Sequence, residues 1–495
     1  MQLEDFMALQ NGSDVRGVAL QVPEGLEVTL SGESVNRIAG AFVQWLASCC
    51  NKPVDSLRVG VGHDSRVTAQ ALTQQIADGL AGAGASCFAC GLASTPAMYM
   101  GTRFSQTAFD GAIMVTASHL PMERNGMKFF TKEGGLDKPD ITWILQKASQ
   151  ISLSTVEADP APSELMPLYT AYLREKIAEG VGLQPLPLAG LHVVVDAGNG
   201  AGGFFVHDVL EPLGAICTGS QYLEPDGRFP NHSPNPENQP AMQALSAAVL
   251  QNQAHLGFMF DTDVDRMAAV LADGQSVGRD AAIAMLAAIL APEYPGATIV
   301  TDSVTSDRLT EFLSALGLVH HCHKRGYRNV INEAKRLNAE GVTAPLAIET
   351  SGHGALIENY FLDDGAYLAV KMLVAAAKAQ RQGKSLGTLI AALPQAGHAV
   401  ERRIPIAGED FAAYGAEVLQ AFRQRAVQAG IRVVDSYEGV RLQWPGRGWA
   451  LLRLSLHEPL LPLNVETKQP DGCVELLEEI AGLLAGFDRL DLRGL

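Results

Sequence analysis

Asp261, Asp263 and Asp265 occupy alternate positions in DTDVDR, directly after the apolar run LGFMF. On an extended loop, residues two apart point to the same side, so three carboxylates can converge on one hard cation. A calcium-sensing EF-hand loop begins with this spacing but requires Gly at its sixth position and Glu at its twelfth. Arg266 and Ala272 stand there, which argues against it. An acidic, solvated turn is the other reading. LGFMF has the character of a buried strand, and crowding like charges at its end costs energy unless a cation is bound. The spacing therefore predicts a divalent-metal site of Asp261, Asp263 and Asp265.

Ser118 lies in TASHLPMERNGMKFF, just beyond an expected strand, with His119 beside it and Lys128 across an expected turn containing Asn125 and Gly126. A serine hydroxyl carries a phosphoryl or acyl group only with help from a metal, base or cation. The hydrolase pattern G-x-S-x-G is missing, because Ala117 and His119 flank the serine. Taken alone, Ser118 reads as an ordinary strand-end serine; the acidic loop makes it a candidate. Basic and hydroxyl groups gather in further loops: Arg66 in VGHDSR, Lys324 and Arg325 in HKRGYRN, Glu349, Ser351 and His353 in IETSGHG, and Arg453, Ser455 and His457 in RLSLHEP. Such groups suit phosphate and sugar recognition. Together they predict an anion-binding cleft.

The elements that must position these residues alternate in type. Val35, Ile38, Phe42, Trp45 and Leu46 share one helical face, LRVGVG reads as a buried strand, and Val67 to Leu80 as a second helix. AIMVTASH, HVVVDAGNGAGG, LGFMFDTDVDR and LAIETSGHG each run from an apolar strand into a polar or Gly-rich loop. In α/β sheets ligands collect at such carboxyl ends. Composition shifts predict linkers at Ser152 to Glu164 and after Leu386, and a long surface loop at Glu224 to Pro240. After about His398 the pattern turns strand-like, with one helix from Glu409 to Gly430.

With 495 residues the chain exceeds one ordinary core, and several domains of about 100–150 residues are expected. A net charge of −17 disfavours nucleic acid, and no apolar run approaches the roughly 20 residues of a membrane helix. The acidic beginning lacks the features of a signal peptide, so the expected location is the cytoplasm. Seven thinly spread cysteines do not resemble a disulfide framework. Cys87 and Cys90 form a lone CxxC in a strand-like segment, better read as core than as a metal or redox pair.

Along its length the chain resembles the α-D-phosphohexomutase family of phosphoglucomutases, phosphomannomutases and phosphoglucosamine mutases. GSDVRG is similar to the family's N-terminal arginine motif, TASHLPMERNGMKF to its phosphoserine loop, and DTDVDR to its metal loop. IETSGHG resembles its sugar-binding loop and RLSLHEP its phosphate loop, and all five occur in order. The resemblance implies an α/β architecture of four domains, three related mixed α/β layers and a smaller C-terminal α+β domain, placed at residues 1–155, 156–272, 273–395 and 396–495.

It further implies interconversion of hexose 1-phosphate and hexose 6-phosphate, of glucose or mannose, through phospho-Ser118 and a bisphosphorylated sugar. Mg²⁺ would bind Ser118 and the three aspartates, and hexose 1,6-bisphosphate would act as activator. Lys128 and His353 become the acid/base candidates. Arg16, Arg66 and Arg266 support the transferring phosphate, His119, Lys324, Arg325, Glu349 and Ser351 contact substrate, and Arg453, Ser455 and His457 hold the phosphate that is not reacting. Leu120 replaces the family's usual Asn, and Thr350, Leu456 and His457 also depart from its motifs. A histidine at 457 titrates near neutrality, which implies weaker phosphate binding above about pH 7.

The neighbouring readings are a phosphoglucosamine mutase and a catalytically weak phosphosugar-binding protein. A haloacid-dehalogenase-like phosphotransferase is disfavoured, since Asp265 stands where its D-x-D-x-T/V motif needs Thr or Val. Oligomeric state, monomer or dimer, is not encoded in these motifs.

Overall fold

The computed structural model describes residues 1–23, 25–455 and 458–495. The chain forms two compact units. One comprises Met1–Gly278, Ser351–Ala355 and Leu362–Thr388, and the other Arg279–Thr350, Leu356–Phe361 and Leu389–Leu495.

In the first unit, the helix Gly32–Cys50 begins where the Ser31 side chain accepts a hydrogen bond from the Ser34 amide and ends at Asn51 in the left-handed region. Its apolar face buries Val35, Ile38, Phe42 and Leu46 against Leu72, Ile76 and Leu80 of the helix Ala69–Gly82 and against strand residues Val59, Val61, Ile113 and Phe129. Trp45, expected on this face, sits at its margin and is only partly buried. Burying each such side chain contributes about 1.5–3 kcal/mol.

The sheet below runs in the order Gln10–Asn11, Asp14–Val18, Arg124–Thr131, Gly111–Val115, Arg58–His63, Ser86–Leu92, Ala161–Pro162, with Gly134–Gly135 pairing Arg124–Thr131. Gly111–Val115 is buried at every position, as a strand covered on both faces must be. It is parallel to Arg58–His63 and antiparallel to Arg124–Thr131. Asn125 and Gly126, expected in a turn, are strand residues paired with Gly17 and Arg16. A Cβ at Gly126 would lie 2.4 Å from the Val15 carbonyl oxygen, so two backbones approach at a distance only glycine allows. The expected linker is also partly structured: Ala161–Pro162 extends the sheet, and the amides of Ser154 and Ala158 donate to Asn36 and Asp78.

A second sheet in this unit joins Val193–Asp196, parallel, to the antiparallel hairpin Leu256–Phe260 and Met267–Leu271. Both hairpin strands are buried throughout, and Asp261 to Arg266 form the connection at their tip.

The second unit holds the parallel strands Val319–Cys322, Thr298–Thr301 and Leu346–Ile348 in that order. Its C-terminal portion is a five-stranded antiparallel sheet in the order His398–Pro405, Leu460–Thr467, Gly448–Leu452, Val440–Trp444, Arg432–Val434. Two helices cover it rather than the single one expected. Phe411–Gln428 contributes Val418 and Phe422, and Cys473–Leu484 contributes Leu476 and Ile480, to a core with Leu442, Leu452 and Leu463. The architecture is thus three α/β layers followed by a smaller sheet-rich portion.

Among the described residues no helix is long and apolar enough to cross a membrane. Cys87 and Cys90 are buried free thiols, and burial raises both to about 12, which leaves them unreactive near neutrality.

Candidate active site

Two hairpin tips of the first unit meet. One connects Gly111–Val115 to Arg124–Thr131 and carries Ser118; the other carries the aspartates. Ser118 Oγ donates to Asp261 Oδ2 over 2.8 Å, although the two residues are 143 apart in sequence. Lys128 projects from its strand to Asp263 Oδ2 at 2.9 Å and Asp265 Oδ2 at 2.5 Å. Arg266 Nε donates to Asp261 Oδ2 at 3.2 Å, and Thr95 Oγ1 to Asp263 Oδ2 at 2.5 Å.

The two loops are strained and braced. Ser118 has φ +51° and Val264 φ +66°, left-handed values that cost a non-glycine residue about 1–3 kcal/mol. The Ser118 amide donates to Thr116 Oγ1 at 2.8 Å, and that hydroxyl donates to Asp64 Oδ2 at 2.7 Å. Arg66 donates to the carbonyls of Ser118 (2.5 Å), Leu120 (2.6 Å), Pro121 (2.7 Å) and Arg124 (2.7 Å). Its Nε lies 3.3 Å from Asp64 Oδ2. The Arg66 guanidinium thus holds the main chain of the serine loop. Arg16 is held similarly, by the Ala117 carbonyl and Asp14 Oδ2, both at 2.9 Å.

Oxygen atoms of Asp261, Asp263 and Asp265 lie within 4.8 Å of one another, and all three residues are buried. Burial, with Asp265 and Asp263 beside it, pushes the Asp261 carboxyl well above its ordinary range. Burial acts the same way on Asp265, but Lys128, His353 and Arg266 outweigh it and hold that group low. Oδ1 of Asp263 and Oδ1 of Asp265 are buried without a hydrogen-bond partner among the described residues. A compact set of hard oxygen donors, two with unused lone pairs, fits a small divalent cation such as Mg²⁺.

Lys128 counters part of this negative charge, and Lys128→Met should expose the imbalance. Removing one partner of a buried ion pair costs about 3–5 kcal/mol. That loss is expected in urea unfolding with chelator present and should shrink in excess Mg²⁺; equal losses in both conditions would mean that the cation does not bind at these carboxylates.

His353 reaches the same cluster. Its Nδ1 is 2.5 Å from Asp363 Oδ2 and 3.9 Å from Asp265 Oδ1. Burial opposes its protonation, yet Asp363 and Asp265 prevail and raise it to about 9. The preceding Gly352 has φ +96°, and a Cβ there would stand 2.7 Å from the Met267 carbonyl oxygen. Ser351 is buried, and His119 is exposed beside Ser118.

The remaining candidates belong to the second unit. Glu349 accepts from the Gly326 amide at 2.5 Å, and the Arg325 amide donates to Glu438 Oε1 at 2.9 Å. Arg325 Nε lies 4.0 Å from Asp302 Oδ2, which also receives the Thr350 hydroxyl at 2.9 Å. Burial, then the nearby Arg325 charge, depresses the Arg453 guanidinium. Its Nε is buried without a hydrogen-bond partner among the described residues. Ser455 Oγ accepts from the Glu458 amide at 3.2 Å, and Lys324 is exposed. Leu456 and His457 lie outside the described residues.

Three successive family models match this chain: phosphoglucomutase/phosphomannomutase alpha/beta/alpha domain I at residues 8–154, domain II at 167–274 and domain III at 279–396. The chain belongs to the phosphoglucomutase/phosphomannomutase family. As a phosphohexomutase it is an isomerase.

A phosphomannomutase/phosphoglucomutase of Pseudomonas syringae pv. tomato is 30% identical over 457 residues, covering 92% of this chain and 90% of that protein. One from Pseudomonas aeruginosa is 29% identical over 411 residues, covering 82% and 83%. The crystal structure of a phosphoglucomutase/phosphomannomutase family protein from Burkholderia thailandensis shares the fold with a TM-score of 0.79 at 24% identity, covering 98% of each chain.

Sequence reasoning missed Thr95, Asp363, Asp64, Thr116 and Glu438, which hold candidate residues of this phosphohexomutase in place. The adjacent acids of FLDDG were a weak signal for Asp363. Nothing in the local spacing marks the others.

Proposed function

We propose that this chain interconverts the 1- and 6-phosphates of glucose, mannose or both, through phospho-Ser118 and a bisphosphorylated sugar. The observation that carries this reading is the Ser118 hydroxyl, set on Asp261 beside carboxylates with unused oxygens. A hydroxyl oxygen of the bound hexose phosphate attacks the phosphorus of phospho-Ser118. The new P–O bond forms as the bond to Ser118 Oγ breaks; the sugar hydroxyl gives up its proton and Ser118 Oγ gains one. The bisphosphorylated sugar turns over in the site, and its other phosphate returns to Ser118 by the reverse step.

Lys128 and His353 are the proton carriers in this scheme, since a sugar hydroxyl must lose and regain a proton. Asp261, Asp263, Asp265 and the phosphoserine would hold Mg²⁺, which supplies neutralisation of charge during the transfer. Arg16 and Arg66 act through the serine loop, holding its main chain, and Arg266 acts beside Asp261. Glu349 and Ser351 bind sugar hydroxyls, while Arg325, Lys324, Arg453 and Ser455 hold the phosphate that is not reacting. Like-charged guanidiniums such as Arg325 and the half-buried Arg453, whose Nε has no hydrogen-bond partner among the described residues, favour a bound dianion.

A coupled assay with Mg²⁺ and a trace of hexose 1,6-bisphosphate, offering glucose, mannose and glucosamine 1-phosphates, tests the reading. Turnover of the first two is expected. Binding without turnover of any would overturn it in favour of a phosphosugar-binding protein.

A further inference from the structure

We propose that His321, His323 and Glu333 form a second metal site, built from residues outside the three-aspartate cluster and suited to a transition dication of the zinc class. Val319–Cys322 is the edge strand beside Thr298–Thr301, and the His323 amide donates to the Thr301 carbonyl at 2.8 Å, carrying the pairing one residue further. His321 and His323 are therefore two apart on one extended segment and share a face. His320 turns the other way, its Nε2 2.8 Å from Thr301 Oγ1.

Glu333 comes from the helix Tyr327–Ala339 and is buried, with its Oε1 2.9 Å from His321 Nε2. The two imidazoles lie nearly parallel, 6.1 Å between centroids, and the Tyr437 ring covers both at 5.4 Å and 4.5 Å. One ligating atom from each of His321, His323 and Glu333 lies within 4.8 Å of the others. His323 Nδ1 is buried with no hydrogen-bond partner among the described residues.

Two imidazoles and one carboxylate form a donor set that favours zinc, copper or nickel ions over magnesium, which prefers oxygen alone. Metal–ligand distances of about 2.0–2.2 Å require these atoms to close by an ångström or so, within reach of ring rotation. As the metal takes Nε2 of His321, that ring's proton passes to Nδ1, so the ligand stays a neutral imidazole and the hydrogen bond to Glu333 Oε1 is replaced by metal bonds from both atoms. Arg336 donates to both Glu333 oxygens, at 2.7 Å and 2.8 Å, and neutralises the carboxylate without using every lone pair. That neighbouring cation weakens the site relative to an unpaired triad.

Full-length protein, stripped with chelator and returned to excess Mg²⁺, is titrated with Zn²⁺ by calorimetry. About one equivalent is expected at this site, and His321→Ala or His323→Ala should weaken it about 100-fold or more. His321→Gln keeps a hydrogen bond to Glu333 but offers no ring nitrogen, so it too must lose the ion while remaining folded in chelator. Co²⁺ should give visible bands of an imidazole-bound centre in wild type and not in the variants. Unchanged Zn²⁺ affinity and Co²⁺ spectra in all three variants would overturn the assignment.

Discussion

Ser118→Ala is expected to lower mutase turnover by about 10⁴-fold or more and to abolish incorporation of phosphate from labelled hexose bisphosphate. The nearest hydroxyl of the same loop, Thr116 Oγ1, already donates to Asp64 and accepts from the Ser118 amide. The lost activity should not reflect lost folding. Asp261 keeps Arg266 as a partner when the serine hydroxyl is removed, so the change in stability should be about 1 kcal/mol. Kinetics, phosphate labelling and urea unfolding on the same preparation separate these effects. A labelled, active Ser118→Ala protein would end the phosphoserine reading.

Asp261→Asn should produce opposite signs in activity and stability. Activity is expected to fall on the order of 10³-fold if Asp261 holds the cation beside Ser118 as proposed, since the substitution makes that ligand a neutral amide. Without metal, the variant should be as stable as wild type or more so. Burial and the neighbouring Asp265 and Asp263 push the Asp261 carboxyl well above its ordinary range, so the wild-type charge is held there at a cost that the amide avoids. Mg²⁺ at 100 times its dissociation constant stabilises a folded site by about 2.7 kcal/mol. Thermal unfolding of wild type should show that rise and Asp261→Asn should not. A rise retained in the variant would place the cation elsewhere.

These effects depend on contacts of very different legibility. The crowding of carboxylates in DTDVDR is legible from three residues and the strand before it, because charge crowding next to burial is a local property. The aspartates gather at the tip of a tight hairpin with Val264 in the left-handed region, rather than along the extended loop that their spacing predicts. Lys128 was placed near Ser118, but its partners, Asp263 and Asp265, are 135 and 137 residues away, beyond anything a local pattern contains. Arg66 looked like any loop arginine available to an anion. Only the folded loop shows its guanidinium spent on four carbonyls.

By itself the sequence determined the periodic elements. It settled the helix that buries Val35, Ile38, Phe42 and Leu46, the all-apolar strands that end in polar loops, and the order of the motifs that resemble the family's. These follow from side-chain volume, capping and hydrophobic repeat within a few residues of one another. The tertiary structure alone decided which loop end meets which: Ser118 with Asp261, Thr95 with Asp263, His353 with Asp363. Such pairings depend on sheet order and on each buried polar group finding a partner wherever the fold brings one, and no short stretch of chain contains both halves of that requirement.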